Sequence, residues 1–351
     1  MMTQWRPMRW LSPGLILAAL AAPSAADAEA YRPDPALVAA AKKEGQVLVY
    51  TTLIVDQIVR PLIRAFQAQV PGIDVKFVRA DSVALVVRMT NEAKANRTQA
   101  DIWQLVDGVG PLVEAGIAGT LDLPNAKGLP AVYADPNRRW VTTNLAVRSL
   151  AYNTTLVPPA QAPRGYADLL HPRFKGKFAW NPNSVSGAYG FIGTVLRHMG
   201  EDKGTAYLRA LAKQQITPVP MAIRAVLDRV IAGEYAIGLE MNGTHAHISA
   251  SLGAPVAWVP LDPVSMTLQA AGTTAKAPHP NAARLFLDFM ISRAGQQVFH
   301  DRDYIPMHPD VPAKNPKLKP ETGGYRAVVY SPEEVDANHK RWAKIFQEIF
   351  R

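Results

Sequence analysis

The order of apolar runs predicts an α/β protein in two lobes, and three observations carry that expectation. Residues 46–116 alternate β-α-β-α-β-α, as in a sheet with helices on both faces. Residues 166–259 repeat the same logic as a second block. Between the blocks, residues 140–152 read as two short strands, VTTNL and RSLAY, placed to form a two-strand hinge.

Asp34-Pro35 opens a first helix, PALVAAAKKEG, and Gly45 ends it. Residues 46–50 are almost wholly apolar, which suits a strand buried on both faces, and Thr51 and Thr52 follow at its C-terminal end. Ile58, Leu62, Ile63 and Phe66 share one face of the next helix. Pro71-Gly72 turns the chain into an alternating strand, 73–78. Asp81-Ser82 caps a helix over 83–96, residues 100–106 form a third strand, and Asp107-Gly108 starts a helix that Gly116 closes. Pro158, Pro159 and Pro163 make a helix-free connector beyond the hinge.

In the second block, residues 166–170 read as a short helix. The run 178–180 leads through a polar loop, 181–187, into a helix carrying Tyr189, Ile192, Val195 and Leu196. Helices follow over 201–213 and 223–232, then a strand over 235–239. Residues 240–244 lie at that strand's end, ahead of a helix with His245 and His247. Residues 255–259 form a further strand, and 267–273 carry the chain back to the first block. Helices over 281–291 and 332–350 complete the chain.

Composition narrows the function. Arg6 and Arg9, an apolar stretch over 11–22 too short to span a bilayer, and Ala26-Asp27-Ala28 have the layout of an export signal. Cleavage is expected after Ala28, with Ala30 as the alternative. Removing residues 1–28 takes away two arginines and one aspartate, which lowers the formal net charge from +9 to +8. The basic residues are dispersed, with no basic block interleaved with aromatics, so nucleic acid is not the expected partner. The absence of cysteine excludes disulfides, thiol catalysis and cysteine metal sites. A body of about 320 residues must therefore be stabilised by a large core.

Ligands of open α/β sheets sit at the C-terminal ends of strands, which selects Thr51, Thr52 and Asp107. Asp107 is either a ligand contact or the cap of the following helix. The loop 181–187 feeds a helix N-terminus, whose unpaired amides and dipole favour an anion. There Ser184 or Ser186 either caps the helix or donates to a ligand, and Gly187 permits close approach to the backbone.

Several stretches in order resemble the periplasmic substrate-binding proteins of ABC importers, in the iron(III)-type branch of the type 2 binding-protein fold. They are residues 43–52 (KEGQVLVYTT), 150–154 (LAYNT), 174–187 (FKGKFAWNPNSVSG), 232–239 (AGEYAIGL) and 277–298 (APHPNAARLFLDFMISRAGQQV). The resemblance implies a Venus-flytrap: two lobes closing over one small ligand, an ABC permease in the inner membrane as partner, a periplasmic location, and no catalytic residues. It implies a first lobe of residues 29–149 plus 268–318, a second lobe of 150–267, and a C-terminal region, 319–351, packed on the second lobe. A monomer without a cofactor is expected.

The chain departs from the iron-binding members where they hold ferric ion. Their adjacent tyrosines follow the strand that here is 235–239, and this chain has Met241-Asn242-Gly243-Thr244-His245 there. A histidine that some members place after the first strand is replaced by Thr52-Leu53-Ile54. His245 and His247 stand at i, i+2, on different helix faces, so no metal site is predicted. The expected lining is Thr51, Thr52 and Asp107 from the first lobe, with Asn181, Ser184, Ser186, Gly187, Glu240, Asn242 and Asp262 from the second. Hydroxyls, amides and a helix N-terminus suit a carboxylate, phosphonate or phosphate group. The three acids suit a cationic or hydroxyl end, so the expected ligand is a small organic anion or zwitterion. Alternatively, Glu240 pairs with Arg148 and Asp262 only shapes its Asp-Pro turn. Tyr189 and Trp180 either stack on a ligand or pack in the core. The rival functions are a ferric-binding protein of the same family, a flytrap sensor for a membrane receptor and, last, an exported hydrolase. The hydrolase has no support from Gly-x-Ser-x-Gly or His-Glu-x-x-His, neither of which occurs.

Overall fold

The computed structural model describes residues 30–350, and the expected export signal with its cleavage after Ala28 lies outside them. The first block runs α1 (Pro35–Glu44), β1 (Gln46–Thr51), α2 (Arg60–Gln69), β2 (Asp74–Arg79), α3 (Ser82–Lys94), β3 (Ile102–Leu105) and α4 (Val109–Glu114). The Asp34 carboxylate accepts from the Ala36 amide to start α1, and Gly45, at φ 71°, ends it in the left-handed conformation that glycine adopts without strain. A long strand, β4 (Val141–Asn153), leads out of this block.

The second block holds β5 (Phe178–Trp180), α5 (Gly190–Met199), α6 (Glu201–Ala212), β6 (Thr217–Pro218), α7 (Ile223–Ile231), β7 (Ile237–Asn242), α8 (Gly243–Ser251) and β8 (Val256–Val259). The chain returns through β9 (Val264–Thr273) to α9 (Pro280–Ile291), α10 (Arg293–Asp301) and β10 (Ile305–Pro306). It ends with α11 (Pro320–Gly323), β11 (Ala327–Tyr330) and α12 (Pro332–Phe350).

The strands form one mixed sheet in the order β2-β1-β3-β9-β4-β7-β5-β6, with β8, β10 and β11 attached at its sides. β1 is parallel to β2 and β3, whereas β9 is antiparallel to β3 and β4. Two large cores flank the middle of this order. One gathers Phe66, Phe286, Phe289 and Trp103; the other gathers Trp180, Phe191, Leu239 and Phe346. The strands β4 and β9 pass between them. The first half of β4 pairs with β9, its second half pairs with β7 and β8, and Arg148 is paired on both sides, with Asn242 and Ser265.

The expected pair of strands over 140–152 is a single strand of 13 residues. Its polar run, Thr142 to Asn144, reads as a strand end in sequence but is buried and bonded: Thr143 Oγ1 donates to the Gln269 carbonyl, and Gln296 donates to the Thr143 carbonyl. Residues 166–170 form a 3₁₀ turn, and β7 runs on to Asn242, past the predicted end at residue 239. The pairing of β11 with β9 had no sequence signal.

The helix α12 touches both blocks. Trp342 and Phe346 are buried in the second core, and the Phe346 ring lies 5.1 Å from that of Trp180. A Cβ on Gly193 would sit 2.5 Å from the Trp342 ring, so this close seat requires glycine. At the other end, Asp336 Oδ2 accepts from the Gly110 amide at 2.6 Å, and Glu333 accepts from the Trp140 indole.

Candidate functional site

A cleft of about 500 Å³ opens between the two blocks, lined from both sides and floored by β4. On the first side, one acceptor organises the strand ends. Gln104 Oε1 accepts from Thr51 Oγ1 at 2.8 Å, from Thr52 Oγ1 at 3.1 Å and from the Thr52 amide at 3.2 Å. Thr51 is consumed there and buried, while Thr52 lines the cleft. Arg79 closes β2 and faces the same space.

Asp107 reaches the cleft from the turn after β3. Ser82 Oγ accepts from the Val106 and Asp107 amides at 3.2 and 3.3 Å and so holds that turn. Asp107 is not a helix cap: Gly108 occupies the cap position of α4 at φ 81°, with no side-chain bond, and Asp336 of α12 serves the Gly110 amide instead. The Asp107 Oδ1 atom is buried without a partner, and Ser186 Oγ donates to Oδ2 across the cleft at 3.5 Å. Burial pushes this carboxyl up to about 6, against the opposing charge of Arg148.

The second side comes from three turns. After β5, the Asn181 side chain accepts from the Asn183 amide at 2.8 Å, and Ser184 Oγ accepts from the Gly187 amide at 3.0 Å. Ser184 is thus the cap and Ser186 the cleft-facing hydroxyl. Gly187 does not line the cleft; a Cβ there would stand 2.6 Å from Ser184 Oγ, so glycine is needed beneath the cap. Asn242 caps α8 through the Thr244 amide at 2.9 Å and also lines the cleft. Arg224 enters from the first turn of α7, paired with Asp228 at 2.8 Å.

Two of the expected acids lie elsewhere. Glu240 is sealed inside β7 at a left-handed φ of 57°, where Ser265 Oγ donates to it at 2.8 Å. Burial raises it to about 7. Asp262 is exposed and accepts from the amide and Nε of Arg326 at 2.8 and 3.0 Å. Both left the strand-end geometry that selected them: β7 continues past Glu240, and Asp262 faces β11 instead of the cleft. Trp180 and Tyr189 pack against Phe346.

Arg148 dominates the floor. It is 5% exposed, and its Nε has no hydrogen-bond partner. Burial weakens its hold on the proton, and the charges of Asp107 and Glu240 oppose that. His245 also lines the cleft. Burial, with Arg224, Arg148 and Arg79 around it, lowers it to about 3, so the ring is neutral. His247 points away, to Asp303 and Asn315. The lining therefore sets three arginines against Asp107 and an exposed Asp81 that is occupied in capping α3. Such a cleft attracts anions. Among the described residues no group of three His, Cys, Asp or Glu side chains is arranged to hold a metal ion.

Sequence reasoning missed these arginines. Arg79 follows the strand 73–78 and satisfies the strand-end rule that selected Thr52 and Asp107. Arg148 is a charge inside an otherwise buried strand, itself a signal of function. Arg224 gave no signal, since with Asp228 it reads as an ordinary exposed i, i+4 pair.

Residues 105–323 match the family described as bacterial extracellular solute-binding protein. This chain belongs to that family. A curated relative, the Fe(3+)-binding periplasmic protein of Serratia marcescens, is 24% identical over 216 residues. That match covers 59% of this solute-binding protein and 62% of the relative, less than two thirds of its length. Among solved structures, the substrate-binding protein of the ABC transporter from Agrobacterium tumefaciens has a TM-score of 0.76 at 20% identity, over 87% of this chain and 94% of that one. The periplasmic binding protein AfuA from Actinobacillus pleuropneumoniae, with exogenous fructose-6-phosphate bound, has a TM-score of 0.71 at 20% identity, over 86% and 99%. These likenesses establish the two-lobed periplasmic-binding-protein fold that the resemblance in sequence implies. No helix among the described residues is long and apolar enough to cross a membrane.

Proposed function

We propose that this solute-binding protein serves an ABC importer and captures a small organic anion, bearing a phosphate, phosphonate or carboxylate group, in its interlobe cleft. The observation that carries this reading is Arg148, a guanidinium buried in the floor with an unpartnered Nε. A buried charged donor without an acceptor is costly, and a ligand oxygen would satisfy it. Arg79 comes from the first block and Arg224 from the second, and both line the cleft. An anion that engages both stabilises the closed form selectively, which is a population shift. The fructose-6-phosphate seen with AfuA is in keeping with such a ligand.

The lobes are taken as residues 29–149 plus 268–318 and residues 150–267. The protein is exported with cleavage near Ala28, acts as a monomer and delivers its ligand to an inner-membrane permease. A second reading, capture of ferric ion, is favoured by the description of the Serratia relative and by Tyr304 and His245 at the cleft. Its weakness is that Met241 to His245 stand where adjacent tyrosines would be needed.

Calorimetric titration with inorganic phosphate, ethyl phosphate, succinate and ferric chloride separates the two. The anion reading expects binding of at least one of the anions, and Arg148→Met to weaken it by about 100-fold, the loss typical of a buried charged contact. Unchanged affinity in Arg148→Met, or binding of ferric ion alone, overturns it.

A further inference from the structure

Asp107 and Arg148 line the same cleft with opposite charges, and each has a buried polar atom without a partner, Oδ1 and Nε respectively. Their charges act on one another, yet they form no ion pair. In a poorly solvated site two such groups gain by closing together. Here both are held. Ser82 fixes the turn through the Val106 and Asp107 amides, and among the described residues the Asp107 side chain receives a single, long bond, from Ser186. Arg148 is anchored on both edges of its strand, to Asn242 and Ser265, and the charge of Glu240, which does not line the cleft, also acts on it.

We propose that the gap between Asp107 and Arg148 receives two neighbouring groups of one ligand, an acidic oxygen on Arg148 and a hydroxyl on Asp107. The ligand class is then a hydroxy-substituted organic anion, with the hydroxyl on a carbon close to the acid group. This inference rests on the anion reading above and selects one of the three acids that the sequence brought forward. An ionised carboxylate only accepts hydrogen bonds, so Asp107 requires a donor from the ligand. An ammonium group would place a further cation beside Arg148, with Arg79 and Arg224 nearby, whereas a hydroxyl adds no charge. The neutral His245 ring, whose Nδ1 also lacks a partner, offers a further uncharged contact.

The test titrates the full chain with three phosphate monoesters that differ in one terminal group: ethyl phosphate, 2-hydroxyethyl phosphate and phosphoethanolamine. The hydroxylated ester is expected to bind at least roughly tenfold tighter than ethyl phosphate, because the analogue without it leaves a buried carboxylate unpaired. Asp107→Ala is expected to bring those two esters within about twofold of each other. Equal affinity for both in the wild type overturns the inference alone, as does tighter binding of phosphoethanolamine than of the hydroxylated ester. Failure of all three to bind overturns this inference, and overturns the anion reading with it when inorganic phosphate and succinate also fail to bind. The wild-type comparison decides the matter whether or not the variant folds.

Discussion

Asp107 and Glu240 act on the same guanidinium, that of Arg148, and both are pushed towards the protonated form by burial, to about 6 and about 7. Their surroundings differ. Glu240 is closed off within β7 and accepts from Ser265 at 2.8 Å, whereas Asp107 faces the cleft with one oxygen unpartnered. A satisfied buried acid serves the structure; an unsatisfied one at a cleft is a candidate contact for a ligand. Placement follows from backbone. Glu240 sits at φ 57° beside a register shift opposite Ser149 and Ala151, which turns its side chain into the interior. Asp107 sits in a turn that Ser82 holds at the cleft wall.

The sharpest way to break this comparison is to remove each acid in turn and measure unfolding in denaturant without ligand. Glu240→Ala leaves Ser265 Oγ without its acceptor in a sealed site and is expected to cost about 2–3 kcal/mol near pH 5, where the folded state keeps the Glu240 proton and its contribution is largest. Asp107→Ala is expected to change stability by less than about 1 kcal/mol, since its unmet bond is already absent. Equal losses would abolish the distinction.

The pH dependence separates the groups next. The folded pKa of Glu240, about 7, lies above its ordinary 4.5, so the folded state holds a proton that the unfolded chain has lost. Its contribution therefore falls as pH rises between those values. His245 has the opposite sign: lowered from 6.5 to about 3, it contributes stability that is lost as pH falls through that window. Between pH 4.5 and about 7.5, Glu240→Gln should lose less stability than the wild type, and His245→Gln more, in melting temperatures measured across the range. Parallel curves for Glu240→Gln and the wild type would mean that Glu240 is not shifted by the fold.

A modest effect is expected at Gly187, a predicted contact that the structure places under the Ser184 cap. Gly187→Ala puts a methyl group 2.6 Å from Ser184 Oγ, and losing that cap costs about 1 kcal/mol. Thermal unfolding should reveal the loss. An unchanged melting temperature would show that the cap accommodates the methyl group.

Much of the architecture was legible locally. The apolar run of β1, the Gly45 stop and the periodicity of α9 appear where sequence chemistry puts them. Six of the ten expected contacts, Thr52, Asp107, Asn181, Ser184, Ser186 and Asn242, line one cleft. The other four, Thr51, Gly187, Glu240 and Asp262, do not, because each meets a partner distant in sequence or packs beneath one that a turn folds over it. Thr51 spends its hydroxyl on Gln104, and Asp262 meets Arg326. The continuity of β4 was hidden for the same reason, since its buried polar residues are satisfied by Gln269 and Gln296.

By itself the sequence determined the α/β alternation, the two blocks and the strand-end loops, because periodicity, capping and turn preferences act over a few residues. It also carried the family resemblance. Only the tertiary structure decided that Arg79, Arg148 and Arg224 face one cleft, and that of the three acids Asp107 alone faces it too. Burial and charge fields are properties of the assembled sheet: the same carboxylate is a cap, a surface ion pair or a waiting acceptor according to what the rest of the chain brings beside it.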